Sequence, residues 1–262
     1  MKVIHIVPTA HIAEMGTPGT MHLPLAQVVL RDRAYARHYR SITTLVPRTY
    51  VILDNGAFEA GAALSADELM LAADMIRPHE IVLPDVLRDP TATVARSVTF
   101  VNELRRYLPG VRKMAVPQGS TFPVWEKCLR DLVSYIPDLD VIGVFEETEK
   151  WFPDGRLGVL RSILPFVRER GLTVHLLGYC EDLQDLWMVP RQYPWVRSMD
   201  SGKVCVWSMH HKEIYPGRHA PQYPGRPKDY FDLTMTEEQF RTFRLNVARI
   251  DRYLEDPYDV RD

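Results

Sequence analysis

The 262-residue sequence predicts an α/β fold of the (β/α)8 barrel type, and three observations predict it. Short apolar, β-rich runs recur near residues 3, 51, 81, 113, 141, 173 and 196. Most are separated by stretches of helical periodicity, at a spacing of roughly 25 to 35 residues, which is the pattern of a parallel sheet with helical crossovers. Several runs also end in a polar residue and a turn former, the place where α/β enzymes present side chains to a site. Seven runs are plain. The eighth strand is expected at 204–209 or at 41–46, or the barrel is irregular. A doubly wound open sheet is the structural alternative, weakened in its dinucleotide-binding version because no GxGxxG turn follows the first strand.

In chain order, residues 3–7 form the first strand, and a loop runs to residue 19. Residues 23–39 read as mostly helical, with Pro24 near the start. Residues 50–59, YVILDNGAFE, read as a buried strand that hands Asp54 to an Asn-Gly turn. The alternative there is an Asx turn, in which Asp54 or Asn55 only bonds its own backbone. Ser65 with Glu68 makes a capping box, and Leu69, Ala72, Ala73 and Ile76 recur at helical spacing until Pro78. The strand at 81–83 ends in Pro84-Asp85, and Asp89-Pro90 opens a helix with Val94, Val98, Val101 and Leu104 on one face. The strand at 113–116 runs into Pro117-Gln118-Gly119, and the one at 141–145 into Glu146-Glu147. A helix at 157–170 stops at Gly171, the strand at 173–177 ends in Gly178-Tyr179, and a short helix starts at 182. The strand at 195–199 ends in Asp200-Ser201-Gly202. Thr236 with Gln239 makes a second capping box for a helix at about 236–254, striped by Phe240, Phe243, Val247, Ile250 and Leu254.

With 46% hydrophobic residues and no linker or low-complexity tract, residues 1–262 are expected to form a single domain. The first apolar run stops at Pro8, too short for a signal peptide, and no run approaches the ~18 residues of a membrane span, so a cytoplasmic protein without a membrane partner is expected. Cys128, Cys180 and Cys205 are too far apart for a disulfide framework or a metal knuckle, so no zinc is expected. A net charge of −2 says nothing about a polyanionic partner, but its distribution does. Residues 203–228 carry Lys203, Lys212, Arg218, Arg226 and Lys228 against one acid, Glu213, interleaved with Trp207, Tyr215 and Tyr223. That mixture predicts an extended loop able to follow a phosphate backbone and stack on bases; the alternative is a solvated excursion.

On a barrel, one rim would carry Asp54, Asp85, Gln118, Glu146 or Glu147, Tyr179 and Asp200. Like charges gathered at one mouth repel and raise one another's pKa, which marks chemistry rather than stability.

DNGAFE at 54–59, LPD at 83–85, VPQG at 116–119, IGVFEE at 142–147, HLLG at 175–178 and SMDSG at 198–202 occur in an order that resembles the tRNA-guanine transglycosylase superfamily. Those (β/α)8 enzymes exchange guanine for a 7-deazaguanine base. The family's cysteine-rich zinc site after the nucleophile is missing here, since Cys205 has no companion thiol, and the chain looks more like the phage and bacterial DpdA-type branch that acts on DNA. The resemblance implies Asp200 as nucleophile and Asp54 as acid/base. It implies Asp85, Gln118 and the Gly143 backbone as readers of the guanine edge, with Glu147 also in the substrate pocket. Phe58 and Leu177 would sandwich the base. DNA, less readily tRNA, and a free 7-deazaguanine would be the partners, with no further cofactor. A barrel nucleoside or glycoside hydrolase using Asp54 and Asp200 is a different reading of the same acids, and a non-catalytic nucleic-acid binder a third.

Overall fold

The computed structural model describes residues 1–15, 20–61, 63–179 and 183–256. Eight strands lie in one sheet in the order β1-β8-β7-β6-β5-β4-β3-β2, with the recorded pairs parallel, and helices alternate with them: a (β/α)8 barrel. The chain divides into two compact units, residues 17–175 and residues 1–16 with 176–262.

The first unit holds β2 (Met21–His22), β3 (Tyr50–Leu53), β4 (Glu80–Val82), β5 (Arg112–Ala115) and β6 (Val141–Phe145). Ile52 lies opposite Glu80, Glu80 opposite Arg112, and Met114 opposite Val141. Val51, Ile52, Leu53, Ile81, Val82, Met114, Val141 and Ile142 are all buried. Such unbroken apolar runs are what strands covered on both faces require. The helices are α1 (Ala26–Arg31), α2 (Arg33–Leu45), α3 (Ala57–Ala60), α4 (Ala66–Ile76), α5 (Pro90–Tyr107), α6 (Phe122–Tyr135) and α7 (Arg156–Arg170). The capping box on α4 is made by both reciprocal bonds, and Asp89 caps α5 through Ala92 N at 2.9 Å. The expected helix at 23–39 is instead two helices. Asp32 is extended and its Oδ1 accepts from Ala34 N and Tyr35 N, so it starts α2 and ends α1.

Neither expected position of the eighth strand holds. Residues 41–45 are the end of α2 and 204–209 lie in α9 (Lys203–Met209), while the missing strand is the two-residue β2 beside Tyr50 and Val51. A two-residue strand carries no periodicity. Val204, Cys205, Val206 and Trp207 are buried all round a helix, which an apolar run cannot distinguish from a buried strand.

The second unit pairs β1 (Lys2–His5) with β8 (Val196–Ser201) and contains the end of β7 (Thr173–Leu177), with α8 (Gln184–Gln192), α9 and α10 (Glu237–Glu255). β8 runs further than expected, so Asp200 is inside the strand, opposite Ile4, rather than in the turn after it. The loop placed at 203–228 begins only at 210, because α9 occupies its first seven residues. α10 starts at its predicted capping box, and Gln239 Nε2 also donates to Met209 O at 2.6 Å. Its buried face is Phe240, Phe243, Asn246, Ile250 and Tyr253, so Val247 and Leu254 flank the stripe rather than fill it. The N-terminal turn is tied to the chain before α10: Tyr230 OH donates to Ile6 O at 2.5 Å, and Met235 N to His11 Nε2 at 2.9 Å.

Candidate active site

The site grows from the turn after β3. The backbone of Asp54 is still held to the neighbouring segment, its N–H donating to Pro24 O at 2.9 Å and its carbonyl accepting from Ala26 N at 3.0 Å. Asp54 Oδ2 then accepts from Gly56 N at 3.0 Å, and Asn55 Oδ1 from Ala57 N at 2.8 Å. These are two successive Asx turns, and Gly56 takes the left-handed conformation they need, φ 75°. Both Asx turns therefore form. For Asn55 the turn reading is incomplete, because its Nδ2 also donates to Leu83 O and to Asp85 Oδ1, both at 2.7 Å.

Asp85 stands just past β4 and is 3% exposed. Its other oxygen, Oδ2, accepts from Gln118 Nε2 at 2.6 Å. Gln118 is oriented in turn, since its Oε1 accepts from Arg88 N at 3.1 Å and its own backbone N–H points to Cys128 Sγ at 3.4 Å. Burial pushes the Asp85 carboxyl up to about 6, against the opposite pull of the Asn55 and Gln118 donors. A buried carboxylate flanked by two amides therefore joins the ends of β3, β4 and β5. Gly119 is where the backbone of α6 comes closest: a methyl group there would lie 2.5 Å from Trp125 N.

Other predicted residues of this unit stand differently. Glu147 is in a 3-10 turn after β6 and pairs with Arg88 Nη2 at 3.3 Å at the surface. Gly143 is buried inside β6. Phe58, on α3, is 75% exposed, so its ring is not part of the core. Behind Asp54 lies a cluster that sequence reasoning missed. Tyr35 is buried, its centroid 4.8 Å from Tyr39, and its phenol is pushed well up by burial, then by Tyr39, with a smaller contribution from the Asp54 charge. Two surface grooves lie elsewhere, one lined by Leu71, Arg77, Arg106 and Tyr107, the other by Arg130, Phe166 and Arg170.

In the second unit Asp200 is 6% exposed. Tyr179 is fully buried, its hydroxyl without a hydrogen-bond partner among the described residues, and its phenol is pushed well up first by burial and then by the Asp200 charge. Leu177 ends β7, half-buried. Lys203 differs from its expected place among the phosphate-facing cations. It is 8% exposed, donates from Nζ to Tyr179 O and lies 5.4 Å from the Tyr223 ring, because as the first residue of α9 it turns inward. Lys212, Arg218 and Lys228 are exposed and Arg226 half-buried. The aromatic part of the loop is already engaged: Arg218 covers Tyr215 at 5.0 Å, Arg226 covers Tyr230 at 5.7 Å, and Trp207 donates to Pro221 O at 3.1 Å.

Among the described residues no three His, Cys, Asp or Glu side chains gather where a metal ion could be held, and Cys128 and Cys205 are buried free thiols; Cys180 lies outside them. No described helix is long and apolar enough to cross a membrane.

By sequence, no known protein family and no curated protein matches the chain. By structure it is similar to the YdjI aldolase from Escherichia coli K12, with TM-score 0.54, 10% identity and coverage of 99% of this chain and 91% of that one. It is also similar to a fungal β-1,4-galactanase, with TM-score 0.50, 9% identity and coverage of 93% and 99%. Both are barrel enzymes of different chemistry, so what the chain shares with them is the (β/α)8 fold.

Proposed function

We propose that the chain is an enzyme, a pentosyltransferase that replaces guanine in DNA with a 7-deazaguanine (preQ0-like) base through a covalent glycosyl-aspartate, working in the cytoplasm. The observation that carries this reading is the buried Asp85 carboxylate set between the Asn55 and Gln118 amides. Guanine presents two donors, N1–H and the exocyclic amine, beside one acceptor, O6. Asp85 has lone pairs left for the donors. Gln118 Nε2 has a second hydrogen, with no acceptor recorded for it, that suits O6. The order of strand-end motifs that resembles the transglycosylases supports the same assignment.

In this reading the Asp200 carboxylate attacks C1′ as the C1′–N9 bond breaks. The electron pair leaves on N9, which takes a proton from Asp54. An ester joins Asp200 to the sugar. The incoming base gives its N9 proton to Asp54, attacks C1′ and releases the Asp200 carboxylate, so the sugar keeps its configuration and no water enters. A duplex base is beyond reach of such a pocket, and flipping it out costs a few kcal/mol by general estimate. Phe58 and Leu177 are assigned to the faces of the flipped base, Gly143 and Glu147 to its edge, and Lys212, Arg218, Arg226 and Lys228 to neighbouring phosphates.

The test is mass spectrometry of nucleosides from DNA, and separately from tRNA, incubated with the protein and a 7-deazaguanine. The expected result is a deazaguanosine in DNA with release of one guanine per incorporation. Modification of tRNA alone would move the substrate to RNA, and guanine release without incorporation would make the enzyme a hydrolase.

A further inference from the structure

Asn55 uses its whole side chain. Oδ1 accepts from Ala57 N, and Nδ2 donates to Leu83 O and to Asp85 Oδ1. The Asx turn needs only the oxygen. The backbone donor at Ala57 and the backbone acceptor at Leu83 fix which end of the amide is which, so the second Nδ2 hydrogen can only point at Asp85. Gln118 is fixed in the same manner from the other side by Arg88 N. A carboxylate gripped at both oxygens by amides that cannot rotate has one orientation.

The groups around Asp85 leave this role to the amides. Asp54 on the β3 side turns its Oδ2 to Gly56 N. Cys128 from α6 is pushed up to about 11, first by burial, and so stays an uncharged thiol. Arg88 and Glu147 pair with each other at the surface. No cation is recorded in hydrogen-bond contact with Asp85 among the described residues, so its ionised form depends on neutral donors.

We propose that Asn55 is a positioning residue, whose amide nitrogen holds the Asp85 carboxylate ionised and turns its free lone pairs toward the incoming base. The inference rests on the reading of Asp85 as the acceptor of a guanine-type edge, but its first test does not.

That test is a carboxyl-carbon NMR titration of aspartate-labelled protein, with the Asp85 signal assigned through Asp85→Asn. The wild type is expected to titrate near pH 6. Asn55→Ser leaves a hydroxyl able to cap Ala57 N but too short to reach Asp85, so the fold is kept while one donor is lost. Asn55→Ser and Asn55→Ala should raise the Asp85 midpoint by about one to two pH units, the range for a hydrogen bond to a charged group. In calorimetry at pH 7 both should bind free guanine about two- to tenfold more weakly than wild type, the loss of ionised Asp85 that this rise implies. An unmoved midpoint in Asn55→Ser, with the fold retained by circular dichroism, would overturn the proposal and leave Asn55 a turn cap. Wild-type protein that ignores guanine while the midpoint moves would reject the base-exchange reading and keep the positioning role.

Discussion

At the scale of single residues the account turns on a carboxyl that burial holds partly protonated near neutrality. Asp85 rises from 3.8 to about 6, so the folded state binds its proton more tightly than the unfolded chain does. Stability from this group is fully present below 3.8 and is lost as pH rises to about 6, a change of about 3 kcal/mol. Urea unfolding of wild type and Asp85→Asn, compared at pH 4 and pH 7, should show the wild type losing about that much relative to the variant. A constant difference would mean that Asp85 is not desolvated. Asp54, Asp85 and Gln118 were legible in the sequence because each follows an apolar strand run and sits beside a turn former, Asn55, Pro84 and Pro117 with Gly119 respectively. The link through Asn55 was not, since the local Asx turn accounts for an Asn-Gly pair and the second partner lies 30 residues away. Arg88 was invisible for a related reason: it acts through its backbone N–H, which any residue but proline supplies.

Among elements, helix starts were the most legible, because a capping box is a local bond pattern written in four consecutive residues, as at Ser65 and Thr236. β2 was the least, being two residues whose strand character comes only from pairing with β3. Asn246 shows the same limit on α10. A polar residue in a helical stripe reads as a flank, but it is fully buried, accepting from Ile214 N at 2.9 Å and donating to Ser208 Oγ and Lys212 O at 3.0 Å. Asn246→Leu should cost about 1 to 3 kcal/mol in chemical unfolding by leaving Ile214 N–H without its partner; an unchanged midpoint would show that the clamp is not needed. Gly119→Ala drives a methyl group into the backbone of α6, and a cost of about 1 to 3 kcal/mol with weakened guanine binding is expected, since Gln118 must move with it. For the loop, Lys212 and Lys228 are exposed and have no aromatic contact recorded. Replacing both with Ala should flatten the slope of log K for DNA against log salt by roughly 1.4 to 1.8. An unchanged slope would leave the loop a solvated excursion.

At the scale of the whole molecule, strand-helix alternation was enough to reach the (β/α)8 fold, because the repeat survives errors of a few residues at each boundary. Two histidines with desolvated rings, His5 and His22, give it an acid-sensitive range. Burial lowers His5 from 6.5 to about 4 and, with a smaller contribution from His38, lowers His22 to about 4 as well. Both are held neutral in the folded state, so the stability they allow is present above pH 6.5 and is lost as pH falls to about 4. Melting temperature should fall across that window, and His5→Gln should make the fall shallower; equal slopes would place the acid sensitivity elsewhere.

The central claim is a covalent sugar on Asp200, and the most direct measurement is the intact mass of the protein after incubation with a guanine-containing DNA oligonucleotide and no competing base. The account predicts an adduct equal to the oligonucleotide less one guanine, mapped to the peptide holding Asp200, discharged by added 7-deazaguanine and missing in Asp200→Asn. Base exchange without any adduct at Asp200, or an adduct that persists in Asp200→Asn, would contradict it.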